Sequence, residues 1–224
     1  MQILIVSATS FEVKNLIKDL HFTQTNENLY SKNIKSKSVD ILITGIGIAF
    51  TIYALTKALN QKKYDFVLNM GIAGSISHKF QIGDVVQVIS EEFADLGIRS
   101  KNSFSTLFEM GFVDKNNFPF INACLTSTIF ENNWFTDLKQ VNGLTVNTAS
   151  GNKKEIEKLK ERFKADIESM EGAAFFYVCL MEKIPFAEIR SISNFVEERN
   201  KANWDIPLAI NNLNGYCKDL LNKI

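Results

Sequence analysis

Two carboxylates and one amide stand where strands give way to helices in this chain, at positions from which chemistry could be done. Glu171 follows a β-run that begins at Ala165 and immediately opens an apolar helix over residues 173–181. Asn194 closes a second β-run, 186–192, and Glu12 lies in the first turn of the helix after the first strand. In an open α/β sheet the ligand sits outside the carboxyl ends of the strands, so all three side chains face one crevice. Taken singly they have ordinary explanations, since the helix dipole favours an acid in the first turn and asparagine is a frequent turn residue. Taken together, with no Ser-His or Cys-His arrangement to supply a nucleophile, they suit hydrolysis through a cationic transition state. One carboxylate activates water, a second binds hydroxyls beside the developing charge, and a polar group stabilises the leaving group. Cleavage of an N-glycosidic bond has that form, and Glu12 is the candidate base.

Small residues mark where a ligand would come close to backbone. A strand over 39–43 ends in Thr44-Gly45-Ile46-Gly47, and a strand over 64–69 runs into Asn69-Met70-Gly71-Ile72-Ala73-Gly74-Ser75, a turn that leaves a cavity. The first of these is not a dinucleotide fingerprint, because Phe50 stands where a third glycine is required. No nucleotide cofactor is expected. Cys124, Cys179 and Cys217 are far apart in apolar or amphipathic surroundings, which fits reduced thiols, and His21 and His78 lie outside any ligand-like cluster. No metal centre is expected either.

The elements that must position these residues alternate between strand and helix. Residues 2–8 form a continuous apolar run, the pattern of a strand buried on both faces, and Ser10 is placed to cap the helix that carries Phe11, Leu16, Ile17 and Leu20. A hairpin is expected within 23–38, further strands at 85–89 and 143–148, helices at 49–59, 153–163 and 208–221, and a weaker helix at 126–135. This order predicts a three-layer α/β/α domain around a central mixed, largely parallel twisted sheet. Residues 98–120 are aromatic and irregular, with Phe104, Phe108, Phe112, Phe118 and Phe120, and read as a lid or a subunit contact. The 224 residues are nearly half hydrophobic, enough for one domain spanning 1–224. Lysine plus arginine balance aspartate plus glutamate, 25 against 25, without large basic clusters, which argues against a nucleic-acid partner. The first strand carries no signal-peptide features and no apolar run approaches the ~20 residues that span a bilayer, so a cytoplasmic protein without a membrane partner is expected.

On these motifs the chain resembles the purine nucleosidase/phosphorylase superfamily, specifically its methylthioadenosine/S-adenosylhomocysteine nucleosidase branch. The resemblance rests on Glu12, Gly45-Ile46-Gly47, Asn69-Met70-Gly71-Ile72-Ala73-Gly74, Gly83-Asp84, Met170-Glu171-Gly172-Ala173-Ala174 and Arg190-Ser191-Ile192-Ser193-Asn194, and spans nearly the whole chain. Within that branch it is most similar to the futalosine hydrolases of menaquinone biosynthesis, through Glu92-Phe93-Ala94-Asp95-Leu96-Gly97, Leu107-Phe108-Glu109-Met110-Gly111 and Ser193-Asn194-Phe195-Val196-Glu197-Glu198-Arg199-Asn200.

The resemblance implies a nucleoside phosphorylase-like fold, a small-molecule nucleoside as ligand and a homodimer. It makes Glu12 the base that activates water, Glu171 the holder of the ribose hydroxyls, Met170 a packing surface for the sugar, and Ala73, Gly74, Ser150 and Gly151 the lining of the base and sugar pocket. This sequence departs from the branch at four positions: Asn194 replaces the aspartate that acts as acid toward purine N7, Ser169 replaces an acid, Ile72 replaces a serine, and Gly151 falls where a phenylalanine stacks on the base. An amide can donate to the O6 and N7 acceptors of a 6-oxopurine, as an ionised carboxylate cannot, so Asn194 favours hypoxanthine as leaving group. The expected reaction is hydrolysis of futalosine to hypoxanthine and dehypoxanthinyl futalosine. The alternatives are a methylthioadenosine/S-adenosylhomocysteine or aminodeoxyfutalosine nucleosidase, a purine nucleoside phosphorylase, and a non-catalytic nucleoside-binding protein. A phosphorylase needs cations for phosphate, yet the turns after the first three strands lack arginine, the chain's arginines being Arg99, Arg162, Arg190 and Arg199.

Overall fold

The computed structural model describes residues 1–224 apart from 102, 128–132, 199 and 224. The chain opens with β1 (Gln2–Ser7), α1 (Lys14–Asp19), β2 (Thr23–Asn26), β3 (Leu29–Ile34), β4 (Lys37–Ile43), α2 (Ile48–Gln61) and β5 (Phe66–Ser75). β6 (Val85–Phe93) precedes the short strands β7 (Gly97–Arg99), β8 (Phe104–Thr106) and β9 (Leu125–Thr126). The rest comprises β10 (Lys139–Thr145), α3 (Lys153–Arg162), β11 (Ile167–Ser169), α4 (Gly172–Met181), β12 (Phe186–Phe195) and α5 (Ile206–Lys223).

The strand order is β11-β10-β6-β12-β5-β1-β4-β3-β2, with β9 on the flank of β6. Pairing is parallel for β1 with β4 and β5, β5 with β12, and β6 with β10, and antiparallel for β6 with β12 and β3 with β4. β11 pairs with β10 on one side and with β5 on the other. The sheet therefore returns on itself through β5, β12, β6, β10 and β11, with β1 to β4 continuing as an open wing. The sheet is mixed, as expected, but its closure corrects the expectation of three layers around a largely parallel sheet. The cause lies in β5 and β12, ten residues each, which run on through the small-residue and amide positions where turns were expected. Gly71, Ala73 and Gly74 offer little side chain to resist bending, and the β5–β12 register slips between Ile192 and Asn194, a bulge that sharpens the local twist.

Two apolar layers hold the sheet. On one face Leu55 of α2 and Phe175, Phe176 and Cys179 of α4 pack on Val67, Val86, Val88 and Phe186. On the other Leu16 of α1 and Leu213, Cys217 and Leu220 of α5 pack on Ile3, Ile5, Ile41 and Phe66. Seven of the ten residues of α4 are buried, so its uniformly apolar sequence reflects contact on nearly all sides.

Ser10 does not cap α1, which starts at Lys14 with Val13 at its N-cap and no side-chain bond there. Of the helix expected at 126–135, residues 128–132 lie outside the described residues; Leu125–Thr126 form β9 and Asn133–Phe135 a single 3₁₀ turn. In the aromatic segment, Phe108 and Phe120 meet edge to face at 5.0 Å and Phe120 leans on Tyr177, whereas Phe112 and Phe118 remain exposed. Among the described residues no helix is long and apolar enough to cross a membrane.

Candidate active site

β1 delivers the chain to Thr9-Ser10-Phe11-Glu12, a short turn that buries the Glu12 side chain. Glu12 Oε2 accepts from Thr9 Oγ1 at 2.8 Å and Thr9 N at 3.0 Å, and Thr9 Oγ1 in return accepts from Glu12 N at 3.4 Å. Its other oxygen, Oε1, accepts from Ile72 N of β5 at 3.1 Å, so donors from two elements fix the carboxylate's orientation. The turn is fastened from α5, where Asn214 donates Nδ2 to Glu12 O at 2.7 Å and accepts Leu16 N at 2.8 Å.

Glu171 is the N-cap residue of α4, yet its side chain caps nothing in that helix. Oε1 reaches instead to Gly47 N at 3.0 Å, at a glycine whose φ of 100° few side chains would tolerate. Its second oxygen lies 3.5 Å from Arg190 Nη1. Arg190, on β12, is 1% exposed; its Nε donates to Glu188 Oε1 at 2.8 Å and Nη1 reaches Ile72 O at 3.5 Å. Glu188 Oε2 accepts from Asn69 Nδ2 at 2.9 Å. Gly71 makes room for this meeting: a β-carbon there would collide with Arg190 Nη1 and stand 2.9 Å from Glu12 Oε1. Burial pushes the Glu171 carboxyl above its ordinary range, with Arg190 opposing and the charges of Glu12 and Glu188 adding to the rise. Burial works against the charge of Arg190, but Glu188, Glu171 and Glu12 outweigh it and hold the guanidinium protonated.

A fourth acid lies deeper. Glu91 of β6 is fully buried; Oε2 accepts from Thr145 Oγ1 at 2.8 Å, and that hydroxyl accepts from Ala173 N at 2.7 Å, at the start of α4. A β-carbon on Gly172 would collide with Glu91 Oε1 and stand 2.9 Å from Glu188 Oε1, so the two acids face each other beneath the first turn of α4. Burial, then the Glu188 charge, push the Glu91 carboxyl well above its ordinary range, which favours the protonated form.

Further along the same two strands lie Ala73 and Gly74 of β5 and Asn194 of β12. Asn194 Oδ1 accepts from Ser193 Oγ at 2.7 Å and Nδ2 donates to Phe195 O at 3.0 Å, which leaves one amide N–H for a ligand. A β-carbon on Gly74 would stand 3.2 Å from Asn194 Nδ2, so the amide lies over that glycine. Met170 packs against the cluster of Ile76, Val146 and Val196. Ser150 is engaged elsewhere: its N and Oγ donate to the Glu168 carboxylate at 3.0 and 2.6 Å. Gly151 beside it is half-buried, Glu168 stands in register with Gly74 where β11 pairs with β5, and Ser150 borders a cleft of about 710 Å³ between the β7–β8 hairpin and α3.

The structure thus gathers Glu12 and Glu171 around Arg190, with Asn194, Ala73 and Gly74 farther along the same strands. Sequence reading gave no role to Arg190, Glu188, Asn69, Glu91, Thr9 or Thr145. Two signals pointed to some of them. Thr9-Ser10-Phe11-Glu12 fits the pattern of a capping box, and a glutamate and an arginine two apart inside an apolar strand share one face and call for partners.

Residues 2–222 match the family model described as the phosphorylase superfamily. A futalosine hydrolase of Acidothermus cellulolyticus is 30% identical over 215 residues, covering 94% of this chain and 86% of that protein. A 5′-methylthioadenosine/S-adenosylhomocysteine nucleosidase of Buchnera aphidicola is 27% identical over 237 residues, covering 100% and 97%. The solved structure of a futalosine hydrolase mutant of Helicobacter pylori strain 26695 is similar with a TM-score of 0.84 at 19% identity, both chains covered in full. The chain belongs to the phosphorylase superfamily. Within it the chain stands among the nucleosidases, enzymes that hydrolyse N-glycosidic bonds.

Proposed function

We propose that this nucleosidase acts on futalosine and releases hypoxanthine. The observation that carries the hydrolytic reading is the charge balance of the site: one buried guanidinium, Arg190, serves Glu188 and Glu171 and lies beside Glu12. Carboxylates outnumber the cation, which suits the positive charge that develops on ribose as the glycosidic bond breaks. A phosphate dianion would meet the same excess of negative charge, and the arginine that could bind it is buried and paired through Nε with Glu188, only its Nη2 lacking a partner. Glu12 takes a proton from water, the water oxygen attacks C1′, and the bonding electrons leave with the purine, which takes a proton from solvent as Glu12 gives its own back. Glu171 accepts from the ribose hydroxyls. The remaining Asn194 N–H stabilises the departing base at its O6–N7 edge, and that donor favours an oxo purine over an amino purine.

The choice of futalosine is supported by the relative that is 30% identical and by the amide at Asn194. The reading extends to a single cytoplasmic domain that works as a homodimer, with exposed Phe112 and Phe118 and the outer side of α2 in the contact. The test compares futalosine, inosine, methylthioadenosine and aminodeoxyfutalosine as substrates, with the free base resolved by chromatography in the presence and absence of phosphate. Hypoxanthine released from futalosine at a rate indifferent to phosphate is the expected result. Equal or faster cleavage of the adenine nucleosides would replace futalosine by the methylthioadenosine-type substrate, and strict dependence on phosphate would make the enzyme a phosphorylase.

A further inference from the structure

Arg190 is held harder from one side than from the other. Its Nε donates to Glu188 Oε1 at 2.8 Å, within the range of a charge-assisted bond, whereas Nη1 stands 3.5 Å from both Glu171 Oε2 and Ile72 O, at the edge of contact. Glu188 is itself pinned: its side chain is 0% exposed and its second oxygen accepts from Asn69 Nδ2 at 2.9 Å. The two residues are two apart on β12 and share a face of the strand, so the direction of the guanidinium is set by its neighbour in the chain rather than by Glu171.

We propose that Glu188 is a positioning residue for the nucleosidase reaction: it aims the Arg190 guanidinium and takes up part of its charge, so that Glu171 stays a loosely paired carboxylate available to the ribose. The inference rests on the nucleosidase reading. Were Glu188 uncharged, Arg190 would turn its charge on Glu171. A tightly paired Glu171 accepts less well from sugar hydroxyls and cancels negative charge that the transition state needs. The groups facing this pair are Glu12 after β1, Asn69 on β5, Glu91 on β6, Gly47 N ahead of α2 and Cys179 on α4. None of these is cationic, so the change at Glu188 reaches Glu171 through Arg190.

Glu188→Gln keeps the length of the side chain and an oxygen for Arg190 Nε. The expected result is a kcat lower by at least roughly tenfold with KM within about threefold of wild type, per folded site. The acid limb of the kcat/KM profile moves to lower pH, because Glu171 ionises more readily beside an undivided guanidinium. A readout that needs no turnover is the Glu171 carboxyl ¹³C resonance in glutamate-labelled protein, which titrates at lower pH in the variant. Unmoved titration and an unmoved limb would overturn the inference whatever happens to kcat. Glu188→Asp keeps the charge and gives up reach; its kcat falls while its acid limb stays at the wild-type pH. That variant carries the test if the glutamine form does not fold, and a wild-type kcat for it would then overturn the inference. A wild type that cleaves no nucleoside would sink the functional reading instead, and the resonance titration would still decide this one.

Discussion

At the scale of single residues, what separates Glu12 from a helix-dipole acid is where its donors come from. One oxygen is bonded within its own turn and the other to Ile72 N, sixty residues away on β5, so the carboxylate is aimed across the crevice rather than along α1. Glu12→Gln preserves that shape and removes the carboxylate proposed as base. Substrate binding should persist while kcat falls by roughly a hundredfold or more, within the range general-base catalysis supplies. Retention within tenfold, a loss of ~1.4 kcal/mol or less, would remove Glu12 from the role. Glu91 makes a different prediction. Its folded carboxyl titrates well above the ordinary 4.5 through burial and the Glu188 charge, so between those two values the folded state holds a proton that the unfolded chain has released. Stability attributable to Glu91 therefore falls as pH rises through that window. Glu91→Gln mimics the protonated acid, and its melting temperature should fall less steeply than that of wild type as pH rises above about 4.5. Parallel melting curves across that range would show that Glu91 is ionised in the folded protein.

At the scale of elements, α5 acts as a clamp on the turn that carries Glu12. Asn214, 3% exposed, bonds Glu12 O, Leu16 N and Ile210 O, so one amide joins the last helix to the first. Asn214→Ala would leave buried backbone groups unpaired at a cost of about 1–3 kcal/mol. For a chain of this size, 2 kcal/mol corresponds to a melting temperature lower by roughly 4–8 °C. Calorimetry checks it, and an unchanged midpoint would mean that the turn holds Glu12 without α5. The same element, residues 208–221 in the sequence reading, was legible as an amphipathic helix, but not as a partner of the first turn. Apolar periodicity reports which face is buried, and it is silent about which distant backbone group a buried asparagine serves. The small-residue run at Asn69–Ser75 was legible as a place of close approach but was read as a turn. Its continuation as strand depends on pairing with β12, a contact between segments more than a hundred residues apart. Ring closure through β11 is hidden for the same reason, since a three-residue strand leaves no period to read. Glu12, Glu171 and Asn194 stood out because acids and amides just after apolar runs face a crevice in any α/β sheet, whereas Glu188 and Glu91 lie within strands and disclose their purpose only through partners.

At the scale of the whole molecule, the site opens beside a surface that one chain leaves uncovered. Ile46, Phe50 and Tyr53 are 55%, 63% and 69% exposed, at the start and along the outer side of α2, and the N-terminus of this helix holds Glu171 through Gly47 N. Single exposed apolar side chains are common, but aromatic residues three apart on one helix, beside the glycine whose N–H donates to Glu171, fit a subunit contact better than a free face. The aromatic segment contributes exposed Phe112 and Phe118, while half-buried Phe108 packs on Phe120 and Phe120 on Tyr177 of α4. A second copy seated on α2 would therefore cover the crevice and exclude water from the developing charge, where each electrostatic interaction gains strength as water leaves. The protein should sediment as a dimer at micromolar concentration. Phe50→Glu combined with Tyr53→Glu should give a folded monomer, and because the contact lies beside Gly47, its kcat/KM should fall by more than roughly tenfold, about 1.4 kcal/mol of transition-state stabilisation. A wild type that is monomeric at that concentration, or a monomeric variant with full activity, would show that each chain completes its own site.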